Sequence, residues 1–372
     1  MSERAVVVGG GISGLAAARS LALRGYSVTL IEAQDQPGGL ASGVEIDGQP
    51  IERSYHYLVP GEQDILALLD ELSLSDRVEW FQSSIGILTG GKVWPITSPL
   101  DLLRFRPLRL LDRVRAGIGA LRLGRVRDWE TLDTTTAHDW LTALTSPAVT
   151  EVVWDPLLRA KFGPAAADVP AAWMWGRLEQ RYKARRGGGE AIGYLRGGFG
   201  QFFAALVDDL RRRGVDVRMG QPVQRLLLQD GRIHGVDLGG EQLPADVVLF
   251  TGPLPQLPPL LPAELVDQRW SSARGVGAVC VVLALPYALT DQFWTNVCDP
   301  DVPFGGIIEH TNLVPARWYG GQHVVYLSRY FVANEDVATA DPNEQAKEWL
   351  TALEALFPQQ SPPISRGGPW PG

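Results

Sequence analysis

Close to its amino end the chain runs into a short β-branched block, Val6-Val7-Val8, and then into glycines. The pattern changes there to the alanine- and leucine-rich composition of a helix, from Leu15 to about Arg24. Gly25 stands where such a helix is capped. A second apolar block, Ser27-Val28-Thr29-Leu30-Ile31, follows and closes on Glu32. Strand, helix and strand in that order predict a βαβ unit. Further along, the pattern predicts a helix over Gln201 to Arg213 and strands at Val215–Arg218 and Pro222–Leu226. A hairpin turn at Asp230-Gly231 leads to a return strand, Arg232–Leu238, and Ala245–Pro253 carries another strand. Val276–Leu285, Gly306–Glu309 and Val324–Tyr330 read as strands of a mainly β lobe. Asn343–Phe357 reads as a helix, with Asp341 as N-cap and Pro342 in its first turn. No internal repeat is visible.

Bulk composition narrows the class. The chain has 372 residues, too many for one simple core, which implies two or three domains or lobes. It is 45% hydrophobic and 20% charged, an ordinary globular balance. A net charge of −8 does not suit nucleic-acid binding by the molecule as a whole. Two cysteines, Cys280 and Cys298, are too few for a disulfide framework and point to a reducing, cytoplasmic compartment. The five histidines are scattered, so no metal site is expected. No secretory signal precedes the first strand, and no apolar window reaches the length of about 18 residues that spans a bilayer.

The chemistry is concentrated in the first turn. Gly9, Gly11 and Gly14 form Gly-x-Gly-x-x-Gly between the strand and the helix, with Ile12 and Ser13 opening the helix. Gly9 permits the tight turn, Gly11 lets a pyrophosphate approach the backbone, and Gly14 lets helix and sheet pack closely. The helix start offers N–H groups and a positive dipole end to phosphates. Glu32 and the adjoining Ala33 follow about 20 residues past the glycines, where an acid accepts hydrogen bonds from ribose hydroxyls. The motif alone is weak; its context of strand, helix, strand and terminal acid is what the dinucleotide-binding fingerprint requires. Glu32 would repel a 2′-phosphate, so the reading excludes NADP there.

Pro37-Gly38-Gly39-Leu40-Ala41-Ser42-Gly43 comes next. With this second glycine pair the chain resembles the flavin amine oxidase, protoporphyrinogen oxidase and phytoene desaturase superfamily, the protoporphyrinogen-oxidase-like branch above all. Leu195-Arg196-Gly197-Gly198-Phe199-Gly200 before the helix at Gln201 is similar to a glycine-rich turn of the same superfamily. The resemblance runs from residue 5 to about 357. It implies an α/β fold: a discontinuous, Rossmann-like FAD-binding domain (1–80 and 195–255), a mixed α+β substrate domain (81–97 and 256–357) and a helical lobe (98–194). It implies FAD as cofactor, with Gly38, Gly39 and Leu40 beside the flavin's phosphates and ribose and the backbone near Val223 against adenine. Residues 245–253 would rejoin the main sheet. Family members close with a strand, a Gly-Asp turn and a helix that reaches the flavin. Residues 358–372 read instead as an irregular tail, so the final FAD segment is expected to be missing and FAD binding weak or absent.

The helical lobe carries a basic stretch. Arg104, Arg106, Arg109, Arg113, Arg115, Arg122, Arg125 and Arg127 stand against Asp101 and Asp112, with leucines between them. The favoured reading is a solvated helical face packed by its leucines; the other is a peripheral contact of 104–127 with the inner face of a membrane. Trp129, Trp140, Trp154, Trp173 and Trp175 are expected to fill core more often than to line a substrate cavity. Arg181 to Arg186, followed by Gly187-Gly188-Gly189, reads as a mobile basic loop, with a solvated linker favoured over a lid or an anion contact.

For the reaction, the resemblance implies hydride transfer from an apolar or polycyclic small-molecule substrate to flavin N5. Amine-oxidising members hold a lysine in the strand near Val276–Val282. The chain's four lysines, Lys92, Lys161, Lys183 and Lys347, all lie elsewhere, which argues for dehydrogenation of C–C or C–N bonds. No residue is marked out as a catalytic base. His56, in Arg53-Ser54-Tyr55-His56-Tyr57, is the one candidate, set against its reading as a packed histidine. A non-redox flavin enzyme such as a nucleotide-sugar mutase and a truncated, non-catalytic remnant are the competing readings. Substrate, electron acceptor and oligomeric state are not legible.

Overall fold

In a computed structural model of the chain, residues 2–46, 48–124, 126, 128–186, 189–271, 273, 275–332 and 339–358 are described. Two compact units result: Met1–His56, Asp64–Val78 and Leu195–Arg274 form one, and Tyr57–Gln63, Glu79–Tyr194 and Gly275–Gly372 the other.

The first unit is built on a parallel sheet of four strands, in the order Asp216–Arg218, Ser27–Ile31, Arg4–Val8, Val247–Phe250. Arg4–Val8 lies at its centre with Ala5, Val6, Val7 and Val8 all buried, the continuous apolar run of a strand covered on both faces. The helix Ile12–Leu23 buries Gly14, Leu15 and Ala18. The helix Gly200–Arg212 buries Phe202, Phe203, Leu206, Val207 and Leu210, apolar positions recurring at helical spacing. An ion-pair cluster ties these helices together. Arg19 donates to Asp209 at 2.8 Å and to Glu71 at 2.6 Å, and Arg213 donates to the same Asp209 oxygen at 2.7 Å. Burial works against the Asp209 carboxylate, yet the hydrogen bonds from Arg213 and Arg19 outweigh it and lower its pKa.

An antiparallel sheet of Arg225–Gln229, Arg232–Asp237 and Gln242–Pro244 completes this unit. Its first strand begins at Arg225, three residues later than the apolar pattern predicts. Pro222 has no N–H to give a ladder, and the Gln221 N–H is taken by the Glu32 carbonyl at 2.9 Å. Leu257, Leu260 and Leu261 pack on the core around Val6, Val8 and Val236.

The second unit holds a six-stranded sheet in the order Val276–Leu285, His323–Val332, Gly306–Glu309, Trp294–Val297, Ile85–Thr89, Lys92–Pro95. All its pairings are antiparallel except that of Trp294–Val297 with Ile85–Thr89. The helix Pro342–Leu356 covers it through Trp349 and Leu353, both buried with Ile307, Val325 and Leu327. Asp341 caps that helix, accepting from the N–H groups of Asn343 and Glu344, as the sequence predicts. Residues 359–372, the greater part of the expected irregular tail, lie outside the described residues.

Helices make up most of the described residues between 99 and 183 in the same unit. Trp140, Trp154 and Trp173 pack around Leu141, Leu158 and Met174, the core role expected of them. The expected basic loop at Arg181–Arg186 is a helix end and a hairpin instead. The helix Ala171–Lys183 continues through Arg181, and Arg185–Arg186 pairs with Gly189 and Glu190; Gly187 and Gly188 lie outside the described residues. The leucines of the basic stretch also depart from the favoured reading. Leu108 and Leu123 are buried, but Leu100, Leu103, Leu110, Leu111 and Leu121 point to solvent. Arg125 and Arg127 are not described. Among the described residues no helix is long and apolar enough to cross a membrane.

Candidate functional site

The glycines of the first turn do not all serve the same end. Gly9 sits at φ +114°, and a Cβ there would lie 2.6 Å from the Thr251 hydroxyl. A Cβ on Gly14 would meet the Gly9 carbonyl oxygen at 1.8 Å, so the helix seats on the turn only because the side chain is missing. Gly10 faces Glu32, whose Cβ would stand 2.9 Å from its own. Protein atoms therefore account for these three positions. Gly11 is different. Its backbone, φ −69° and ψ 175°, is open to any residue, and the nearest atom to an added Cβ is the Gly39 Cα at 3.9 Å. Neither packing nor conformation requires a glycine there, and its Cα borders open space.

The groups around that space suit a phosphate and a sugar. Gly11 is the N-cap of Ile12–Leu23 and contributes no side-chain cap, and Ile12 and Ser13 are exposed at the helix start. First-turn N–H groups with the helix dipole behind them form an anion site. Glu32 leaves its strand and folds back over the turn, one carboxylate oxygen accepting from the Gly10 N–H at 2.5 Å and the other from the Gln34 N–H at 2.8 Å. Each oxygen keeps lone-pair capacity for a hydroxyl donor. Ala33 beside it is exposed.

The second glycine pair reaches the same place. The Gly38 N–H donates to the Gly10 carbonyl at 3.0 Å, and Gly11 and Gly38 form an isolated parallel bridge. Gly38 stands at φ +118°, and a Cβ on Gly39 would meet the Gly11 Cα at 3.1 Å. Leu40, just after, is 89% exposed. Two loops distant in sequence are thus laid backbone to backbone around Gly11.

The remaining predicted residues are placed less decisively. Val223 turns its side chain into the core around Val6 and Val236, in the segment leading to Arg225. His56 is half-buried, with its ring edge toward Phe199 at 6.3 Å between centroids. Its Nδ1 is 2.7 Å from the Ser54 carbonyl, which only accepts, so Nδ1 carries the proton and Nε2 of the neutral ring is the basic nitrogen.

Two contributors escaped the sequence reading. Thr251 follows Val247–Phe250 and donates its hydroxyl to the Val8 carbonyl at 3.0 Å, filling the space beside Gly9 and Gly14. No spacing marks it out. Glu52 is buried and accepts from the Phe199 N–H at 2.6 Å, fixing the glycine-rich entry to Gly200–Arg212. Phe203 of that helix in turn lies against Gly38.

A sequence model for flavin containing amine oxidoreductases matches residues 12–368. The chain belongs to this family. As a member of the flavin containing amine oxidoreductases it is 29% identical to a coproporphyrinogen III oxidase of Propionibacterium freudenreichii subsp. freudenreichii over 344 residues, covering 71% of the chain and 63% of that protein. It is likewise 29% identical to a hydroxyneurosporene desaturase of Cereibacter sphaeroides over 297 residues, 67% of the chain and 56% of the desaturase. The chain therefore spans less than two thirds of these relatives. An oxidoreductase from Methanosarcina mazei has the same fold, with a TM-score of 0.73 at 19% identity, over 95% of this chain and 85% of that one. Membership of this family implies a flavin cofactor, and the glycine cradle with Glu32 fits the nucleotide end of one.

Proposed function

We propose that the protein is an FAD-dependent oxidoreductase that takes hydride from a C–H bond and so dehydrogenates a C–C or C–N bond of an apolar or polycyclic substrate. The observation that carries the reading is Gly11: a position that neither packing nor backbone conformation reserves for glycine, ringed by helix N–H groups, the Glu32 carboxylate and a second glycine loop. In this reading the Gly9–Gly14 turn takes the diphosphate through the backbone of Gly11, Ile12 and Ser13. Glu32, beside Ala33, accepts hydrogen bonds from the adenosine ribose. Gly38, Gly39 and Leu40 flank the phosphates and ribose, and the backbone at Val223 lies against adenine. When bound, FAD supplies the hydride acceptor, and the protein's share is to orient and desolvate the substrate. His56, protonated at Nδ1, offers Nε2 as an acceptor for the accompanying proton. The strand Val276–Leu285 carries no lysine, which supports dehydrogenation over amine oxidation.

The test is to purify the 372-residue chain, record its absorbance and identify the released ligand by mass. Uptake of FAD on titration is expected, whether or not flavin stays bound through purification. Binding of NAD instead, or of no dinucleotide at all, would overturn the assignment.

A further inference from the structure

The hairpin formed by Pro99–Arg104 and Leu110–Leu123 reverses the usual arrangement of a surface helix. On the longer helix, Asp112, Gly119 and Leu123 are the buried residues. Gly119 makes this seat possible, since a Cβ there would stand 2.7 Å from the Leu144 carbonyl oxygen. The large apolar residues lie on the other side: Leu110, Leu111, Val114, Ile118 and Leu121 are all exposed, from 43% at Ile118 to 74% at Leu121. With 3.6 residues per turn, they fall within an arc of about 100°. Leu100 and Leu103 of the shorter helix are exposed as well. An apolar surface of this extent marks a contact.

Charge identifies the partner. Arg104, Arg106, Arg109, Arg115 and Arg122 are exposed around the apolar stripe, on a chain whose net charge is −8. The two acids of the hairpin are turned to local tasks. Asp101 closes a capping box with Ser98, and buried Asp112 accepts from the Ser146 hydroxyl at 2.9 Å while lying 3.5 Å from Arg115. A hollow of about 560 Å³ opens beside the stripe, lined by Lys92, Trp94, Leu103, Arg104, Arg106 and Arg113. Arg113 is held there by donating to the carbonyls of Leu108 and Leu103, each at 2.7 Å. The Lys92 ammonium lies 4.5 Å from the Trp94 ring centroid. Among the described residues no carboxylate forms an ion pair with Lys92, Arg104, Arg106 or Arg113. Four cations around a concavity, with Leu103 shared between it and the apolar stripe, make a joint surface for a phosphate and the acyl chains next to it.

We propose that this hairpin docks the protein on the surface of an anionic phospholipid bilayer. The headgroup phosphate sits in the Lys92–Arg104–Arg106–Arg113 hollow, and Leu110, Val114, Ile118 and Leu121 enter the interfacial layer. The helix is 14 residues long, so it lies along the membrane rather than across it. A second copy of the chain is a poorer fit, because a two-fold pairing through this face would set its arginines against themselves. The proposal does not rest on flavin binding.

Flotation of the full chain with vesicles tests it. Phosphatidylcholine vesicles containing phosphatidylglycerol are expected to carry at least about tenfold more protein than pure phosphatidylcholine, with each arginine removed by R104A or R106A lowering partition about fivefold. Leu121→Asp is expected to abolish the anionic-vesicle binding with an unchanged unfolding midpoint, since Leu121 is 74% exposed. Equal flotation with both vesicle types would overturn the proposal. So would saturable binding of inorganic phosphate by a protein that does not float with the anionic vesicles, which would make the hollow a free-phosphate site. A protein that ignores vesicles but changes from dimer to monomer on Leu121→Asp would place a second copy on this face instead.

Discussion

The carboxylate of Glu32 and the backbone N–H of Gly10 are joined by a hydrogen bond across 22 residues, which draws the end of the second strand over the first turn. A Cβ on Gly10 would intrude on it, with Glu32 Cβ at 2.9 Å and its Oε2 at 3.0 Å. Gly10→Ala is therefore expected to displace the carboxylate from its place over the turn, where the proposed reading sets the ribose. FAD affinity, measured by titration of the flavin-free protein, should fall by about tenfold, the equivalent of about 1.4 kcal/mol.

Asp209 offers a test of what holds the first unit together. Asp209→Ala would leave Arg19, 14% exposed, with Glu71 alone, and is expected to cost about 3 kcal/mol in urea unfolding, as for a broken buried pair. Asp246→Ala removes the Arg4 pair, whose side chains are about half exposed, and should cost distinctly less than Asp209→Ala. Equal losses would show that burial does not set the worth of these pairs.

Neighbouring Glu309 and His310 respond to pH in opposite senses. Burial pushes the Glu309 carboxyl up from 4.5 to about 7, against hydrogen bonds from Thr290 and Leu289, with Asp291 adding to the rise. Burial also holds His310 near 3, well below its ordinary 6.5. Between about pH 4.5 and 6.5 the folded Glu309 keeps a proton that the unfolded chain has lost, so its contribution falls as pH rises. Over the same window the unfolded chain holds a proton on His310 that the folded state lacks, so that contribution grows as pH rises. The two slopes oppose each other, each about 1.4 kcal/mol per pH unit at its steepest. Glu309→Gln should leave the His310 slope uncompensated, so that stability climbs with pH more steeply than in the unaltered protein. Urea unfolding at several pH values across this window reads the difference, and parallel curves would contradict it.

Legibility in the sequence followed the range of the interactions involved. The turn of Gly9, Gly11 and Gly14, the second strand ending at Glu32 and the Asp341 cap are local patterns, and each was readable. The approach of Gly38 and Gly39 to the turn came only through the family resemblance, because nothing in the order of residues says that Gly38 will bond to the Gly10 carbonyl. Thr251 lies 243 residues from the Val8 carbonyl it bonds, and no composition or spacing signals that pairing. Gly10 was visible as a letter but not as a contact, since its partner is the Glu32 side chain. The basic hairpin shows the opposite failure. Its leucines and arginines were plain, but which face turned inward depended on Gly119 and Asp112, small or polar residues that a hydrophobic pattern assigns to the outside.

Gly11 bears the whole account of the site, and substituting it gives the most direct test. Gly14→Ala is the control: its Cβ would meet the Gly9 carbonyl at 1.8 Å, so it should lower the unfolding midpoint of the flavin-free chain. In Gly11→Ala the new Cβ approaches protein no closer than 3.9 Å. The midpoint should then be unchanged, while FAD titration shows binding weakened by about a hundredfold or lost. A Gly11→Ala protein that binds FAD as tightly as the unaltered chain would contradict the claim that this glycine keeps room for a phosphate.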